Sequence, residues 1–157
     1  MANQERAATE AQLLAERAVA ALYARDHASQ ALGIRVTAVK PGFAQVAMAV
    51  REDMVNGHGL CHGGLVFTLA DSAFAFACNS RNEATVAAAA SIDFLAGARA
   101  GDELTAEARE VWRTKRNGLY EIVVFNRHGE RIALFRGRSY RIEGEVLGTP
   151  GGSDHAA

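Results

Sequence analysis

The sequence is short of cysteine, of net charge and of uninterrupted apolar runs, and each shortage excludes a class of protein. Its two cysteines, Cys61 and Cys78, form no CxxC motif. That excludes a disulfide-stapled secreted scaffold and leads us to expect a reducing, cytoplasmic setting. Seventeen Lys and Arg side chains stand against eighteen Asp and Glu, a formal net charge of −1, which argues against a nucleic-acid binder. The longest apolar stretch, Leu65 to Cys78, is interrupted by Asp71 and falls short of the ~18–20 apolar residues that a bilayer crossing needs. The N-terminus, Met-Ala-Asn-Gln-Glu-Arg, lacks a basic segment leading into an apolar one, so neither a secretory signal nor a membrane partner is expected.

What is present is a chain of 157 residues, 49% hydrophobic and 22% charged, the make-up of one globular domain. That single domain is expected over residues 1–147, with 148–157 as a flexible C-terminal tail. Charge is unevenly placed: residues 109–141 hold nine basic and three acidic side chains, a local +6. The near-neutral total therefore does not exclude a local site for an anionic ligand.

An alanine-rich segment, residues 5–29, reads as an N-terminal helix with Leu13, Leu14, Val19, Leu22 and Tyr23 as its larger apolar members. Gly33 then changes the period, and two strand-like stretches broken at Pro41-Gly42 run to Arg51. Residues 52–64 hold four glycines and read as a loop. A second helix, over 62–79, carries apolar side chains around most of its circumference from Leu65 to Asn79 and must be enclosed by other structure. Its one polar stripe holds Thr68, Asp71, Ser72 and Asn79. Beyond Glu83 the period is two, in runs 84–95, 103–114, 119–127 and 131–142, with Asn117-Gly118 expected as a two-residue hairpin turn and His128-Gly129-Glu130 as another. One enclosed helix and a long antiparallel sheet imply an α+β hot-dog fold, a long central helix wrapped by the sheet. Two-fold pairing would cover the remaining edges, so at least a homodimer is expected.

The chemistry concentrates in Asn56-Gly57-His58-Gly59-Leu60-Cys61-His62-Gly63-Gly64, which runs directly into that helix. A helix start offers free N–H groups and the positive end of the dipole, so the Gly63 and Gly64 amides could hold a carbonyl oxygen as it becomes an oxyanion; the bland alternative is a tight turn. Asp71 is a lone carboxylate on an apolar rod, either a structural hydrogen-bonder or a catalytic group. Gly63 and Asp71 are eight residues apart, roughly 12 Å along one helix. Both can touch one reacting carbon only if they come from different subunits.

Asn56, His62-Gly63-Gly64, Phe67-Thr68-Leu69-Ala70-Asp71, Cys78-Asn79-Ser80, Ile92-Asp93-Phe94-Leu95 and Leu134-Phe135-Arg136-Gly137 together resemble the phenylacetate-degradation, PaaI-type hot-dog thioesterases. The resemblance covers roughly residues 10–147. It implies hydrolysis of acyl-coenzyme A, typically phenylacetyl-CoA and its ring-hydroxylated relatives, in a dimer-of-dimers tetramer with active sites at subunit interfaces. It also implies Asp71 as nucleophile or general base, Gly63 as the oxyanion-hole amide and Asn56 as the group orienting water or the thioester. His62 would border the pocket beside Gly64. Ala96-Gly97-Ala98 departs from relatives that carry arginine or proline after Phe94-Leu95. No cofactor is implied, coenzyme A being part of the substrate.

Thioester cleavage fits a lone carboxylate: the leaving thiol has a pKa of ~8.5, so no strong general acid is required. Ser72 and Thr68 could position substrate, or bond back to helix carbonyls. Arg113, Lys115 and Arg116 could hold coenzyme A phosphates, or form a solvated hairpin tip. A metal on His58, Cys61 and His62 is not expected, because the glycine-rich loop sets no two of them on one face and no second ligand cluster is present. Two further functions are weighed: a hydratase or dehydratase pairing His62 with Asp71, and a non-catalytic acyl-CoA binding protein.

Overall fold

The computed structural model describes residues 1–148, so the expected tail lies outside the described residues apart from Gly148. Alanine-rich residues with few β-branched neighbours form α1 (Ala2–Arg25), which buries Ala15, Ala18 and Val19 at helical spacing. The single helix expected over 5–29 is in fact two. Asp26 leaves helical geometry (φ −87°, ψ 79°) and its carboxylate accepts the Ser29 amide, opening the short α2 (His27–Ala31).

Strands β1 (Arg35–Lys40) and β2 (Phe43–Ala49) flank the Pro41-Gly42 break. The glycine-rich loop then leads into α3 (Gly63–Asn79), followed by β3 (Glu83–Phe94), β4 (Glu103–Arg113), β5 (Asn117–Asn126) and β6 (Arg131–Glu145). The six strands form one sheet in the order β1-β2-β4-β5-β6-β3, antiparallel at every junction. Helix α3 packs across the whole sheet, from β1 at one edge to β3 at the other. This is the α+β hot-dog arrangement.

The enclosure depends on small residues in the sheet. Leu69, Ala70, Ala73, Phe74, Phe76 and Ala77 of α3 meet Ala106, Ala108, Ile122, Val124, Ala133 and Phe135, all buried. Phe74 lies between Tyr120 and Phe135, with ring centroids 5.4 and 6.0 Å away. It also lies over Gly137, where a Cβ would stand 2.7 Å from its ring carbons. Glycine there lets the sheet close on the helix.

Asn117-Gly118 is not the hairpin turn. The chain reverses over Thr114–Asn117, where the Thr114 amide donates to the Asn117 carbonyl at 2.7 Å and the Asn117 amide to Thr114 Oγ1 at 3.1 Å. Gly118 instead pairs with Arg113 inside the ladder. A Cβ there would stand 2.8 Å from both Ser139 Oγ and the Tyr120 ring, so its glycine answers to packing.

Candidate active site

The loop before α3 is shaped by its own side chains. Asn56 Oδ1 accepts the amides of His58 (2.9 Å) and Leu60 (3.2 Å), and the Asn56 amide donates to the Leu60 carbonyl at 2.7 Å. This double Asx turn, with Gly59 at φ +74°, delivers His62 to the helix start. His62 is the N-cap: its Nδ1 accepts the Gly64 amide at 2.9 Å. The ring therefore carries its proton on Nε2 when it caps. Of the two amides expected to face an oxyanion, Gly64 is occupied by His62. Gly63 N–H has no acceptor among the described residues. Asn56, Gly63, Val66 and Phe94 line a cleft of about 380 Å³. A Cβ at Gly63 would come within 3.1 Å of the Phe94 ring, so only glycine leaves that amide uncrowded.

Asp71 lies farther along α3 and faces a different cleft, also about 380 Å³, with Leu22, Asp26, Phe74, Asn79 and Val86 among its walls. Burial, and secondarily the negative charge of Asp26, hold its carboxyl above the usual aspartate range. No donor among the described residues reaches it. A half-buried carboxylate without a partner is free to act as nucleophile or base. The thiols are not: burial pushes Cys61 up and Cys78 to about 12, so neither offers a thiolate at neutral pH.

Within one protomer the Asn56–Gly63 cleft and the Asp71 cleft share no lining residue. His62 likewise stays apart from Asp71, so the two form no His–Asp pair inside the chain. Of the other expected site residues, all but Lys115 are committed elsewhere. Thr68 Oγ1 donates to the Gly64 carbonyl at 2.8 Å, a back-bond within the helix. Ser72 is buried, its Oγ 2.9 Å from Ser29 Oγ. Arg113 grips both oxygens of Glu83 at 3.0 and 3.2 Å, Arg141 approaches the same carboxylate at 3.2 Å, and Arg116 donates to the Tyr140 hydroxyl at 3.2 Å. Lys115 makes no ion pair among the described residues. This basic cluster shares Cys78 and Thr85 with the Asp71 cleft. No three His, Cys, Asp or Glu side chains among the described residues are grouped to hold a metal ion.

Sequence reasoning missed Asp26 and the task of Asn79. Asn79 Nδ2 donates to the Ala75 and Thr85 carbonyls, both at 2.9 Å, and Oδ1 accepts the Thr85 amide at 3.0 Å, locking the end of α3 to β3. Asp26 is of a residue type favoured at a helix N-cap, the one local signal that could have found it.

Comparison with known proteins places the chain. The acyl-coenzyme A thioesterase PaaI of Escherichia coli K12 is 48% identical over 128 residues, which cover 82% of this chain and 91% of that protein. The chain belongs to the PaaI-type hot-dog thioesterases. The profile of the wider thioesterase superfamily matches residues 58–133, from the glycine loop through the first residues of β6. The solved E. coli PaaI structure superposes on this PaaI-type chain with a TM-score of 0.84 at 46% identity, covering 85% of this chain and 97% of that one. A variant of the phenylacetic acid degradation protein PaaI from Thermus thermophilus gives 0.70 at 39% identity, covering 73% and 97%. No helix among the described residues is long and apolar enough to cross a membrane.

Proposed function

We propose that this thioesterase hydrolyses acyl-CoA, with arylacetyl groups such as phenylacetyl or hydroxyphenylacetyl preferred, and that each active site takes Asp71 from one protomer and the Gly63 amide from its partner. The observation that carries the reading is the separation on α3 of an unpartnered carboxylate and an unoccupied amide, each in its own cleft. Antiparallel pairing of two α3 helices about a two-fold axis brings the half-sites together. A surface for that pairing is available. Among the described residues strand β3 has β6 as its single neighbour, and along its free edge and end Val86, Phe94 and Leu95 are 44, 55 and 52% exposed. Trp112, Leu134, Tyr140 and Ile142 form a further exposed apolar set on the sheet, the surface for a dimer of dimers.

In this site the Gly63 N–H, at the positive end of α3, holds the thioester oxygen as negative charge develops on it. Asp71 attacks the carbonyl carbon to give an acyl-aspartate anhydride that water then hydrolyses, or takes a proton from the water that attacks. Either way the carbon–sulfur bond breaks and coenzyme A leaves as a thiolate that is protonated from solvent. Asn56 holds its loop through Oδ1, leaving Nδ2 for the thioester or water. No step calls for a cofactor. The arylacetyl preference is supported by the Leu22, Phe74 and Val86 walls beside Asp71 and by the names of the relatives. The basic cluster of Arg113, Lys115 and Arg116 is suited to the coenzyme A phosphates, and two unpaired cysteines suit a cytoplasmic enzyme. His62 commits Nδ1 to the Gly64 amide and forms no pair with Asp71 within the protomer, so its observed task is to cap α3 rather than to share a proton with Asp71 as the hydratase reading requires.

The test is thiol release from aromatic and straight-chain acyl-CoAs. Asp71→Asn is expected to lose about 10²–10⁴-fold in kcat; a mutant that keeps most of kcat overturns the assignment, and binding without turnover by the wild type establishes the non-catalytic alternative. Mixing Asp71→Asn with Asn56→Ala and allowing subunits to exchange is expected to restore about a quarter of wild-type activity, because half the dimers then hold one intact site. No recovery in an exchanged mixture refutes the shared site.

A further inference from the structure

Asp26 sits at the junction of α1 and α2, yet it belongs to the wall of the Asp71 cleft. Its two oxygens are both engaged by one residue: Oδ1 accepts the Ser29 amide at 2.9 Å and Oδ2 the Ser29 hydroxyl at 2.6 Å. Ser29 has a single hydroxyl proton, and it points to Asp26. The 2.9 Å contact between Ser29 Oγ and Ser72 Oγ must therefore be donated by Ser72. Both hydroxyls are buried. The result is a directed chain, Ser72 to Ser29 to Asp26, that starts one residue from Asp71 on α3 and ends in a carboxylate that lines the same cleft.

Capping alone does not account for that carboxylate. Asn or Ser caps a helix about as well as Asp, whereas a second negative charge facing Asp71 costs like-charge repulsion. We propose that Asp26, acting through Ser29 and Ser72, is a positioning residue for Asp71: it ties the reactive turn of α3 to the α1–α2 junction and sets the charge of the cleft in which Asp71 works. The inference rests on the reading of Asp71 as the reacting carboxylate. The groups facing Asp71 are few. From the α1–α2 junction come Arg25 and Asp26, from α3 itself Cys78, and β3 presents Thr85, Val86 and Ala87, none of them titratable near neutral pH. Arg25 donates to the Val146 carbonyl at 3.1 Å, and Cys78 is a neutral thiol, so Asp26 is the acidic neighbour that adds to burial in keeping Asp71 basic.

The experiment compares wild type, Asp26→Asn, Ser72→Ala and Asp71→Asn on phenylacetyl-CoA, with kcat and KM followed across pH. Asp26→Asn keeps the cap and deletes the charge. It is expected to lower kcat about tenfold, the scale of a small misplacement of a reacting group, with KM unchanged and the acid limb of kcat moved to lower pH. Ser72→Ala keeps the charge and breaks the chain, so kcat falls while the acid limb stays nearer its wild-type position. Asp26→Ser, a second strong cap, must move the limb in the same direction as Asp26→Asn. An unchanged kcat and acid limb in folded Asp26→Asn overturns the proposal, as does a limb that moves to higher pH. Turnover surviving in Asp71→Asn would instead overturn the reading of Asp71 itself, so the two failures are separable.

Discussion

Gly137→Ala tests whether the sheet is held against the central helix by a missing side chain. Two effects of opposite sign compete. Replacing glycine in a strand removes freedom from the unfolded chain and by itself stabilises by about 0.4–1 kcal/mol. Against this, the new Cβ would stand 2.7 Å from Phe74 Cε1 and Cζ and 2.9 Å from its Cδ1. Phe74 cannot swing clear, because it is 1% exposed and packed between Tyr120 and Phe135. Overpacking of this kind costs about 1–3 kcal/mol. The net expectation is a destabilisation of about 1–2 kcal/mol, a fall in Tm of roughly 2–8 °C for a chain of this length. Thermal and urea unfolding of the purified variant measure it. A double-mutant cycle with Phe74→Leu identifies the cause: that change alone leaves a void and is destabilising, but together the two should cost less than their sum by about 0.5 kcal/mol or more. Additive costs, or a Gly137→Ala protein more stable than wild type, would refute the argument that Gly137 exists to admit the Phe74 ring.

Two further predictions concern charge. Asp71 is held above its unfolded value, so its contribution to stability is present below the unfolded value of about 4 and is lost as pH rises through the folded one. Asp71→Asn is therefore expected to melt at a higher temperature than wild type at pH 7 and 8, with the gap closing near pH 4; thermal scans show this, and a gap that ignores pH or reverses sign refutes it. Lys115→Glu combined with Arg116→Glu is expected to raise KM for phenylacetyl-CoA about tenfold and to leave KM for the matching pantetheine thioester in place. Equal effects on both thioesters would show that the cluster does not read the phosphates.

Most of the fold was legible because burial imposed a period. The apolar circumference of Leu65–Asn79 required an enclosed helix, and the two-residue alternation after Glu83 required strands. What escaped was decided by contacts between segments far apart in sequence. Asn117-Gly118 has turn chemistry, but Ser139 and Tyr120 crowd Gly118 and place it in the ladder, while Thr114 supplies the bonds that make the turn. The break at Asp26 was hidden by alanine-rich sequence on either side, although its cap on Ser29 is local. At the candidate site, the residue types from Asn56 to Asp71 were readable. Their commitments were not: that His62 takes the Gly64 amide, or that Ser72 points to Ser29, follows from rotamers that no spacing rule specifies.

The placement of Gly63 and Asp71 on one helix has a consequence for how activity depends on assembly. A helix is rigid along its axis, so no side-chain rotation or loop motion shortens the roughly 12 Å between them. An oxyanion-hole amide must lie about 3 Å from the oxygen it stabilises, and Asp71 must reach the adjoining carbon or its attacking water. In the proposed mechanism an isolated protomer therefore holds two half-sites and no whole one, however well it folds. In the proposed site a second α3, running antiparallel, supplies the complement twice over, and β3, with its long free edge, is the strand beside which that second copy would lie. Substitutions on the free edge of β3 should then act on kcat, by way of the dimer, even where they touch neither Asp71 nor Gly63.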